Sequence, residues 1–600
     1  MIPILYIPET APFTPEQRAW LNGFLAGLLA NQNAGQPVPQ LSAGPAANAE
    51  PLLVLFGSQT GSAEGLAKRI AKESQTRGFA PKILALNDYE QANLAAGGKV
   101  IIISSTWGDG DPPDNAVNFW NWLSADSAPR LENLQFAVLG LGDKNYSDFC
   151  GASKKFDTRL EALGAKRLAP RAECDVDYEA EANAWIEGVW SKLGSNGAPD
   201  SGPAASNGVA KHAGSETGAP KASGAAPSAY GKSNPFPAKL LKNVLLNKDG
   251  SSKEVRHYEI GLNGSGLTYE AGDALGVVPV NCHELVDDVI VALKANPDEN
   301  VKVGNNIVSL REALTHQLDI TKPSQELLAA VAKAAPASEL AVLLAPERRD
   351  DLKKWLWGRH VIDLLDLLPA PMPVTEFASL LKRLVPRLYS ISSSPKAHPG
   401  EVHLTVSAVR YETHGRTRKG VASTFLADRV GDTNYVKVYV QPSHGFKTPT
   451  NGDTPMIMVG PGTGIAPFRA FLEQRLATGA KGKNWLFFGD QTRASDFLYE
   501  EQLTGWQKDG FLTRLDLAFS RDQTEKIYVQ TRMLEKGAEL WSWLEAGAHF
   551  YVCGDASRMA KDVDAALHTI AEKHGGKSAD EAKAYVAKLK SDKRYQRDVY

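Results

Sequence analysis

The chain has 600 residues, enough for about four structural units at about 150 residues each. Its 66 Lys and Arg residues are nearly balanced by 69 Asp and Glu residues, and this formal charge of −3 argues against a globally basic nucleic-acid binder. The 43% hydrophobic and 22% charged shares are ordinary for a folded soluble protein, so we predict no nucleic-acid partner.

Four cysteines are spread along the chain without a C-x-x-C pair: Cys150, Cys174, Cys282 and Cys553. We therefore predict no metal site and no disulfide framework, and we expect a reducing compartment. Residues 1–17 contain no Lys or Arg, and the apolar stretch Trp20–Ala30 is about half the length that spans a bilayer. These features predict a cytoplasmic protein without a membrane anchor.

Residues 1–50 are predicted to form a separate helical segment. Thr14, Pro15 and Gln17 are typical of a helix start. Apolar residues then recur at helical spacing: Trp20, Leu21, Phe24, Leu25, Leu28 and Leu29. One helix cannot bury this stripe alone, so it packs either on its own chain or on another subunit, and we predict a homo-oligomer.

Residues 51–193 alternate short apolar runs with helical patterns. Leu52–Phe56, Val100–Ser104 and Phe136–Leu139 are predicted strands, and Ala63–Gln75 and Lys154–Leu163 are predicted helices. This alternation favours a parallel sheet covered on both faces.

A hydroxyl-rich loop, GSQTGSAE over Gly57–Glu64, joins the first strand to its helix. Backbone N–H groups at a helix start attract phosphate, and no Lys follows the second glycine as a nucleoside-triphosphate loop would require. The loop suits a phosphate monoester such as that of FMN; a plain Ser/Thr-rich turn is the alternative.

Two further loops, Ser104–Asn115 and Leu139–Cys150, follow the next two strands and each carries an aromatic residue. Together the three loops resemble the FMN site of flavodoxin domains. The residues that the resemblance assigns to FMN are Ser58, Gln59, Thr60, Gly61, Ser62, Ala63, Ser105, Thr106, Trp107, Gly108, Leu141, Gly142, Asp143, Lys144, Asn145, Tyr146, Ser147, Asp148, Phe149 and Cys150.

Residues 194–233 are dominated by Gly, Ala, Ser and Pro without hydrophobic periodicity. This composition predicts a flexible linker, because structureless loops of this length rarely lie inside one domain.

Residues 234–452 are predicted to form an FAD-binding domain. Tyr258–Leu262 and Val402–Val409 are typical of antiparallel strands, and a mainly helical insert lies between them at about 281–375. The motifs RLYS (387–390) and GVASTFL (420–426) resemble the FAD domain of ferredoxin–NADP reductases, an antiparallel β-barrel. The resemblance assigns FAD contacts to Thr321, Arg387, Leu388, Tyr389, Ser390, Thr405, Val406, Ser407, Tyr411, Gly420, Val421, Ala422, Ser423 and Tyr600.

Residues 453–600 return to strand–helix alternation, with predicted strands at 456–459, 485–488, 514–519 and 550–552. The loop GPGTGIAPFRAF (460–471) follows the first of them and fits a pyrophosphate site. Donors after a later strand suit a 2′-phosphate and favour NADPH over NADH. The expected NADP residues are Gly462, Thr463, Ser520, Arg521, Lys526, Ile527, Tyr528, Val529, Gln530 and Asp562.

The whole order, down to a terminal aromatic residue, resembles the diflavin reductase family, and within it most closely the flavoprotein subunits of NADPH-dependent sulfite reductases. The resemblance implies a multidomain α/β and β protein that passes electrons from NADPH to FAD, FMN and a partner. It assigns hydride transfer to Ser390, Cys553 and Asp598, and gating of the flavin face to Tyr600.

The implied partner is a hemoprotein β-subunit with sirohaem and an iron–sulfur cluster, which reduces sulfite to sulfide. The loop acids Asp109, Asp111, Asp114 and Asp148 are candidates for steering a basic partner surface. Two alternatives stay open: a soluble diflavin reductase for another haem acceptor, and a non-catalytic flavin-binding assembly subunit.

Overall fold

The computed structural model describes residues 49–58, 61–106, 110–142, 148–175, 178–193, 230–304, 306–431, 434–443 and 445–600. The predicted N-terminal helix and residues 194–229 of the predicted linker lie outside these ranges.

A parallel sheet with helices forms the first unit. Its strands are β1 (Glu50–Gly57), β2 (Phe79–Ala85), β3 (Gly98–Ser105), β4 (Leu134–Leu141), β5 (Lys166–Arg167) and β6 (Ala172–Cys174). Its helices are α1 (Ser62–Thr76), α2 (Tyr89–Ala92), α3 (Val117–Ser124), α4 (Gly151–Ala162) and α5 (Glu179–Leu193). The strand order is β2-β1-β3-β4-β5, with β6 paired to β4, which confirms the predicted parallel α/β fold.

The apolar runs form the centre of this sheet because both of its faces are covered. Ile101 and Ile103 contribute to one core, and Val100 and Ile102 contribute to the core on the opposite face. Successive side chains of a strand point to opposite faces, so a strand that is buried on both sides consists of a continuous apolar run.

The second unit is an antiparallel sheet. Its strands are β7 (Phe236–Leu245), β8 (Val255–Gly261), β9 (Ala274–Val278), β12 (Arg387–Ser390), β13 (Glu401–Ser407) and β16 (Tyr435–Gln441). The order is β12-β9-β16-β7-β8-β13, and a bridge between Ile391 and Leu404 joins the two ends. The sheet therefore closes into the predicted barrel, around a core that includes Tyr258, Leu275 and Val438.

The insert between β9 and β12 is mainly helical, as predicted. Its helices are α6 (His283–Leu293), α7 (Leu310–His316), α8 (Gln325–Ala334), α9 (Glu339–Leu343), α10 (Arg349–Leu356), α11 (Val361–Leu365) and α12 (Val374–Leu380). It also contains a hairpin that the sequence pattern did not predict, β10 (Asn300–Val303) and β11 (Asn306–Ser309). A second hairpin, β14 (Arg410–Thr413) and β15 (Arg416–Lys419), precedes the short helix α13 (Val421–Thr424).

The third unit is again a parallel sheet, with strands β17 (Met456–Val459), β18 (Asn484–Asp490), β19 (Arg514–Phe519), β20 (His549–Gly554) and β21 (Tyr595–Val599). Its helices are α14 (Ile465–Thr478), α15 (Arg493–Asp496), α16 (Glu500–Lys508), α17 (Val529–Glu535), α18 (Gly537–Glu545), α19 (Met559–Gly575) and α20 (Ala579–Ser591). The order is β19-β18-β17-β20-β21.

The sequence pattern did not predict β21, the edge strand at the end of the chain. It pairs in parallel with β20, and this register places Asp598 opposite Cys553. Among the described residues, no helix is both long and apolar enough to cross a bilayer.

Candidate functional site

The first candidate site lies where the strand order of the first sheet reverses, between β1 and β3. In doubly wound sheets, ligands bind in the crevice at this point. Ser58, after β1, donates its backbone N–H to Asn115 Oδ1 at 2.8 Å and accepts the Gly61 N–H on its hydroxyl oxygen at 2.9 Å. Gly61 has φ of 90°, which favours glycine, and precedes α1 with Ser62 and the buried Ala63.

Thr106, the residue after β3, has a side-chain hydroxyl that is suited to binding a ligand. Its backbone N–H donates to the Leu141 carbonyl at 2.9 Å, which ties the loops after β3 and β4 together. Its Oγ1 is buried and has no hydrogen-bond partner among the described residues. An unpaired buried hydroxyl is costly, and a phosphate or a flavin polar atom would satisfy it. This hydroxyl therefore fits FMN.

The loop after β4 packs closely against the loop after β3. A Cβ on Gly110 would lie 2.1 Å from Asp148 Oδ2, and one on Gly142 would lie 2.9 Å from Cys150 Sγ. Ser105 donates its hydroxyl hydrogen to the Gly57 carbonyl at 3.3 Å. These contacts hold the described parts of the predicted FMN loops against one another.

Cys150 occupies a packing position within this region. The side chain is buried, its Sγ lies 3.7 Å from the Cys174 carbonyl, and burial raises the pKa of the thiol to about 12. Phe149 beside it is half-buried, with Lys154 Nζ 5.8 Å from the ring centroid. Cys150 thus shapes the loop as a neutral thiol.

Several residues assigned to FMN lie outside the described ranges: Gln59, Thr60, Trp107, Gly108, Asp143, Lys144, Asn145, Tyr146 and Ser147. Asp109, one of the predicted steering acids, also lies outside them. Asp111 is exposed and pairs with Lys155 at 3.4 Å.

The second candidate site lies on the barrel at β12. Arg387 Nη2 is 3.8 Å from Asp319 Oδ2, and Thr321 donates its hydroxyl hydrogen to Asp319 Oδ1 at 2.7 Å. Asp319 is 1% exposed, and the sequence pattern did not reveal it. Asp319 thus contacts both predicted FAD residues, and a phosphate contact at Arg387 stays a prediction.

Tyr389 and Leu388 alternate across β12. The Tyr389 ring packs partly against the barrel core, and burial raises the pKa of its hydroxyl to about 12, so the ring stays neutral. Leu388 is exposed, and so is Tyr411 in β14.

The small residues of the GVASTFL motif pack closely at the turn before α13, and the approach of a pyrophosphate there stays a prediction. A Cβ on Gly420 would lie 2.6 Å from Ser423 Oγ, and the Ser423 hydroxyl oxygen accepts the Val409 N–H at 3.1 Å. Ala422, which follows Val421 in α13, is buried.

Two side chains of the predicted FAD stretch in β13 already have partners. Thr405 Oγ1 is 2.6 Å from the Tyr499 hydroxyl, and Val406 lies in the barrel core. Ser407, at the end of β13, is partly exposed. A flavin contact at this stretch stays a prediction.

The third candidate site is the junction between the barrel and the third unit, and it unites the predicted hydride-transfer residues. Ser390 donates its hydroxyl hydrogen to Asp598 Oδ2 at 2.6 Å, and Cys553 Sγ lies 3.9 Å from the same oxygen. Burial raises the pKa of the Asp598 carboxyl and holds that of the Cys553 thiol well above its usual value. Two residues, from β12 and β20, thus contact one carboxylate oxygen of a third residue in β21.

Tyr600 extends this junction. Its backbone N–H donates to the Gly554 carbonyl at 3.0 Å, and its carbonyl accepts from Ala556 at 3.1 Å. Its hydroxyl is 2.9 Å from Thr463 Oγ1, while the residue is 63% exposed. The backbone is anchored and the ring reaches an open surface, so a flat ligand ring can stack there.

The loop Gly460–Gly464 lies at the reversal of strand order between β17 and β20. A Cβ on Gly464 would lie 2.2 Å from the Cys553 carbonyl, and Gly462 has φ of 58°. These glycines bring the start of α14 against the end of β20, where a dinucleotide is expected.

The predicted 2′-phosphate donors follow β19. The Ser520 backbone N–H donates to the Asp490 carbonyl at 2.9 Å, and the Arg521 N–H donates to the Gln491 carbonyl at 2.8 Å. The side chains of Arg521, Lys526 and Tyr528 are exposed, as an incoming phosphate requires.

Of the remaining predicted NADP residues, Val529 and Gln530 lie in helix α17, Ile527 precedes it, and Asp562 lies in α19. Val529 is buried with Ile527 packed against the same core, and Gln530 Nε2 donates to Asp562 Oδ2 at 3.2 Å.

Comparison with known proteins identifies all three units. The flavodoxin family model matches residues 54–185, the FAD binding domain model matches 229–425, and the oxidoreductase NAD-binding domain model matches 458–565.

The chain is 46% identical over 595 residues to the sulfite reductase (NADPH) flavoprotein alpha-component of Bacillus subtilis, covering 98% of this chain and 96% of the relative. It is 44% identical over 587 residues to that of Vibrio cholerae, covering 98% and 93%. It is 43% identical over 601 residues to that of Mannheimia succiniciproducens, covering 99% and 98%. Three cofactor-binding units in one order and this full-length similarity lead to one conclusion: the chain belongs to the family of sulfite reductase (NADPH) flavoprotein alpha-components.

Proposed function

We propose that this chain oxidises NADPH and passes the electrons through FAD and FMN to a separate hemoprotein with sirohaem and an iron–sulfur cluster, where sulfite is reduced to sulfide. The observation that carries the proposal is the junction of Ser390, Cys553 and Asp598, which couples the barrel to the nicotinamide-binding unit through one carboxylate. Bound flavins supply the redox chemistry, accepting two electrons as a hydride and releasing them singly.

The chain itself positions the reactants. The Asp598 carboxylate fixes the Ser390 hydroxyl at 2.6 Å, so that the hydroxyl has one orientation at the site of hydride transfer. Cys553 stays a neutral thiol because burial and the neighbouring Asp598 raise its pKa. The junction thus contains no thiolate beside the Asp598 carboxyl group.

NADPH is selected by the donors after β19. Arg521 and Lys526 are exposed cations without an ion-pair partner among the described residues. Thr463 and Gly462 lie at the start of α14, where backbone N–H groups attract a pyrophosphate. Binding energy from the phosphate end can then be used to displace Tyr600 at the reacting end.

The acceptor is proposed to be a second subunit. The relatives are named as sulfite reductase components, and this supports a sulfite-reducing hemoprotein as the acceptor. Asp111 and Asp148 lie in the predicted FMN loops and are candidates for contacting its basic surface. The free cysteines fit a reducing compartment, and we assign the protein to the cytoplasm.

The test is reconstitution with two purified acceptors. The flavin-loaded chain is mixed with a sirohaem hemoprotein or with a haem monooxygenase, and NADPH oxidation is measured together with sulfide or hydroxylated product. We expect sulfite-dependent NADPH oxidation with three NADPH consumed per sulfide, because sulfite reduction takes six electrons. Fast turnover with the monooxygenase alone would favour the alternative acceptor, and absence of flavin reduction by NADPH would favour an assembly role.

We further propose that residues 1–50 mediate self-association, because the apolar stripe from Trp20 to Leu29 lies outside every matched domain. Deletion of residues 1–50 should lower the native mass in light scattering and leave ferricyanide reduction by NADPH intact. An unchanged native mass would contradict this role.

A further inference from the structure

Three histidines lie together where the outer face of the barrel meets the third unit. We use "histidine cluster" for His257, Glu259, His398, Glu401 and His403. The His257 and His403 rings are 5.0 Å apart, and the His398 and His403 rings are 4.2 Å apart. The hydride-transfer junction and the predicted flavin contacts do not use these side chains.

The cluster is built on two rigid strands. His257 and Glu259 are two residues apart in β8, so both project from the same face of the sheet. His403 in β13 is directly opposite Glu259 in the ladder and shares that face. One ligand atom from each of His257, Glu259 and His403 lies within 4.8 Å of the other two.

The two ring nitrogens of His257 have different hydrogen-bond partners. His257 Nδ1 is 2.9 Å from the Tyr499 hydroxyl, and its Nε2 is 3.3 Å from Glu259 Oε1. Metal-ligating histidines commonly use one nitrogen for the metal and hydrogen-bond through the other, and the Tyr499 contact has this character. A metal ion at Nε2 would take the place of the proton that otherwise lies between the imidazole and the Glu259 carboxylate.

His403 provides an independent indication. The residue is 2% exposed, its Nε2 is 3.3 Å from Glu401 Oε2, and its Nδ1 is buried without a hydrogen-bond partner among the described residues. A buried imidazole nitrogen without a partner is costly, and a metal ion is one group that satisfies it.

The charged side chains around the histidine cluster favour a bound cation. Among the described residues, the carboxylates of Glu259, Glu401 and Glu473 pair with two cations, Lys242 and Arg469. This leaves one excess negative charge beside the imidazoles.

We propose that His257, Glu259 and His403 bind one divalent transition-metal ion, with Zn²⁺ as the preferred ion. Two imidazoles and one carboxylate are typical zinc ligands, and zinc tolerates an irregular geometry because it has no d-electron preference. His398 and Glu401 form a second group with His403, within the same 4.8 Å spacing, and supply the next ligand in reach.

The bound ion would stabilise the contact between the barrel and the third unit. His257 contacts Tyr499, and Tyr499 in turn contacts Thr405 of β13 and lies against Arg469 of α14 at 4.9 Å from its ring. A metal ion that holds His257 in place therefore also supports its contact with Tyr499, and with it the contacts between the barrel and the third unit. This role is separate from electron transfer.

The experiment uses the full-length, flavin-loaded chain without an affinity tag, dialysed against Zn²⁺ and measured for bound zinc by mass spectrometry. We expect one saturable zinc per chain, and an affinity at least tenfold weaker in both His257→Gln and His403→Ala. His316→Ala is the matched control, because His316 is an exposed histidine of the helical insert whose Nε2 pairs with Glu312 at 3.7 Å. Its zinc binding should equal that of the unmodified chain.

Flavin content and circular dichroism establish that each variant is folded, and His257→Gln decides the question if His403→Ala does not fold. X-ray absorption at the zinc edge should show two imidazole ligands. Absence of saturable binding in the unmodified chain, or unchanged binding in either folded variant, would overturn the site.

Discussion

The first and third units are both parallel sheets, but they are wound in different orders. The first has the order β2-β1-β3-β4-β5, and its strand order reverses between β1 and β3. The third has the order β19-β18-β17-β20-β21, and its strand order reverses between β17 and β20. Candidate ligand loops lie at the reversal in both sheets, as expected for doubly wound folds.

The two sheets differ in what surrounds the reversal. In the first sheet, the described contacts come from loops of the same unit, and Thr106 Oγ1 is left without a partner. In the third sheet, the additional edge strand β21 brings Asp598 to Cys553 and to Ser390 of the barrel. The first site is thus prepared for a ligand within one domain, while the third depends on a second domain.

Two buried cysteines, one near each reversal of strand order, illustrate the difference between the two sites. Cys150 near the first reversal lies 3.7 Å from a backbone carbonyl, and Cys553 near the second lies 3.9 Å from the Asp598 carboxylate. Burial raises the pKa of both thiols, so the pKa alone does not distinguish them. Their neighbours distinguish them. Cys553 lies beside the Asp598 carboxylate, which also contacts Ser390 across the domain boundary, and this indicates a functional role for Cys553.

The largest effect is expected from Asp598→Ala, which removes that shared carboxylate. A hydrogen bond to a charged group contributes about 1.5–3 kcal/mol. Flavin reduction by NADPH should therefore slow by roughly tenfold to a hundredfold in stopped-flow absorbance at the flavin band. The FMN content should stay unchanged, because the described contacts of the first sheet do not involve β21.

The control for this variant is Asp592→Ala, whose carboxylate pairs with Lys588 at 2.7 Å on the surface after α20. It should reduce flavin at the unmodified rate. Since burial raises the Asp598 pKa, the unmodified chain should lose rate on acidification at a higher pH than an ordinary aspartate would cause. Equal rates for the two variants would contradict the role of the junction.

The next effect concerns the donors after β19. Arg521→Ala should raise KM for NADPH by about tenfold, because a charge-assisted contact to the 2′-phosphate is lost, and should leave KM for NADH nearly unchanged. Steady-state ferricyanide reduction with each cofactor provides the measurement. Arg311→Ala, at an exposed ion pair of the helical insert, is the control, and equal losses with both cofactors would contradict the assignment.

The sequence predicted the central strands because they are buried on both faces. Val100–Ser104 and Trp485–Phe488 are apolar runs, and the structure places them within β3 and β18. The edge strand β21 was missed because its interior is polar: Gln596, Arg597 and Asp598 lie where a buried strand would be apolar.

The position of the hydride-transfer residues came from family resemblance, and the contacts among them required the fold. Asp319 was missed because its effect on Arg387 depends on two segments far apart in the chain. The histidine cluster was missed for a similar reason. His257 and Glu259 are two residues apart in the sequence, a spacing that does not by itself indicate a metal site. His403 comes opposite Glu259 only through the pairing of β8 with β13.

A smaller effect is expected from Thr106→Val, which tests the unpaired hydroxyl of the first sheet. If this hydroxyl bonds to FMN, its removal should weaken FMN binding by up to about tenfold, from a hydrogen bond of roughly 0.5–1.5 kcal/mol. The FMN-free chain should melt at the same or a higher temperature, since a buried unsatisfied group is removed. Thr76→Val, at an exposed hydroxyl that donates to the Glu73 carbonyl, should change neither FMN affinity nor flavin reduction. Unchanged FMN affinity in Thr106→Val would show that the hydroxyl does not contact the cofactor.

The smallest effect is expected at Tyr600, where the third sheet ends. Its backbone is held by Gly554 and Ala556, so only the ring can move to uncover a flavin face. Its hydroxyl lies 2.9 Å from Thr463 Oγ1. In the proposed mechanism the nicotinamide displaces this ring, at a cost of about 1 kcal/mol for an aromatic stack. NADPH can offset the cost through its phosphate contacts, whereas NADH cannot.

Tyr600→Gly should accordingly improve NADH use relative to NADPH by about fivefold, which corresponds to that ~1 kcal/mol. It should also slow NADP⁺ release, because the ring no longer competes for the flavin face. Pre-steady-state flavin reduction with each cofactor measures both effects. Tyr600→Phe separates the ring from the hydroxyl: it retains stacking but loses the bond to Thr463, so its cofactor ratio should stay close to that of the unmodified chain. If Tyr600→Gly leaves the ratio unchanged, the ring does not compete with nicotinamide, and cofactor choice at this junction rests on the phosphate donors alone.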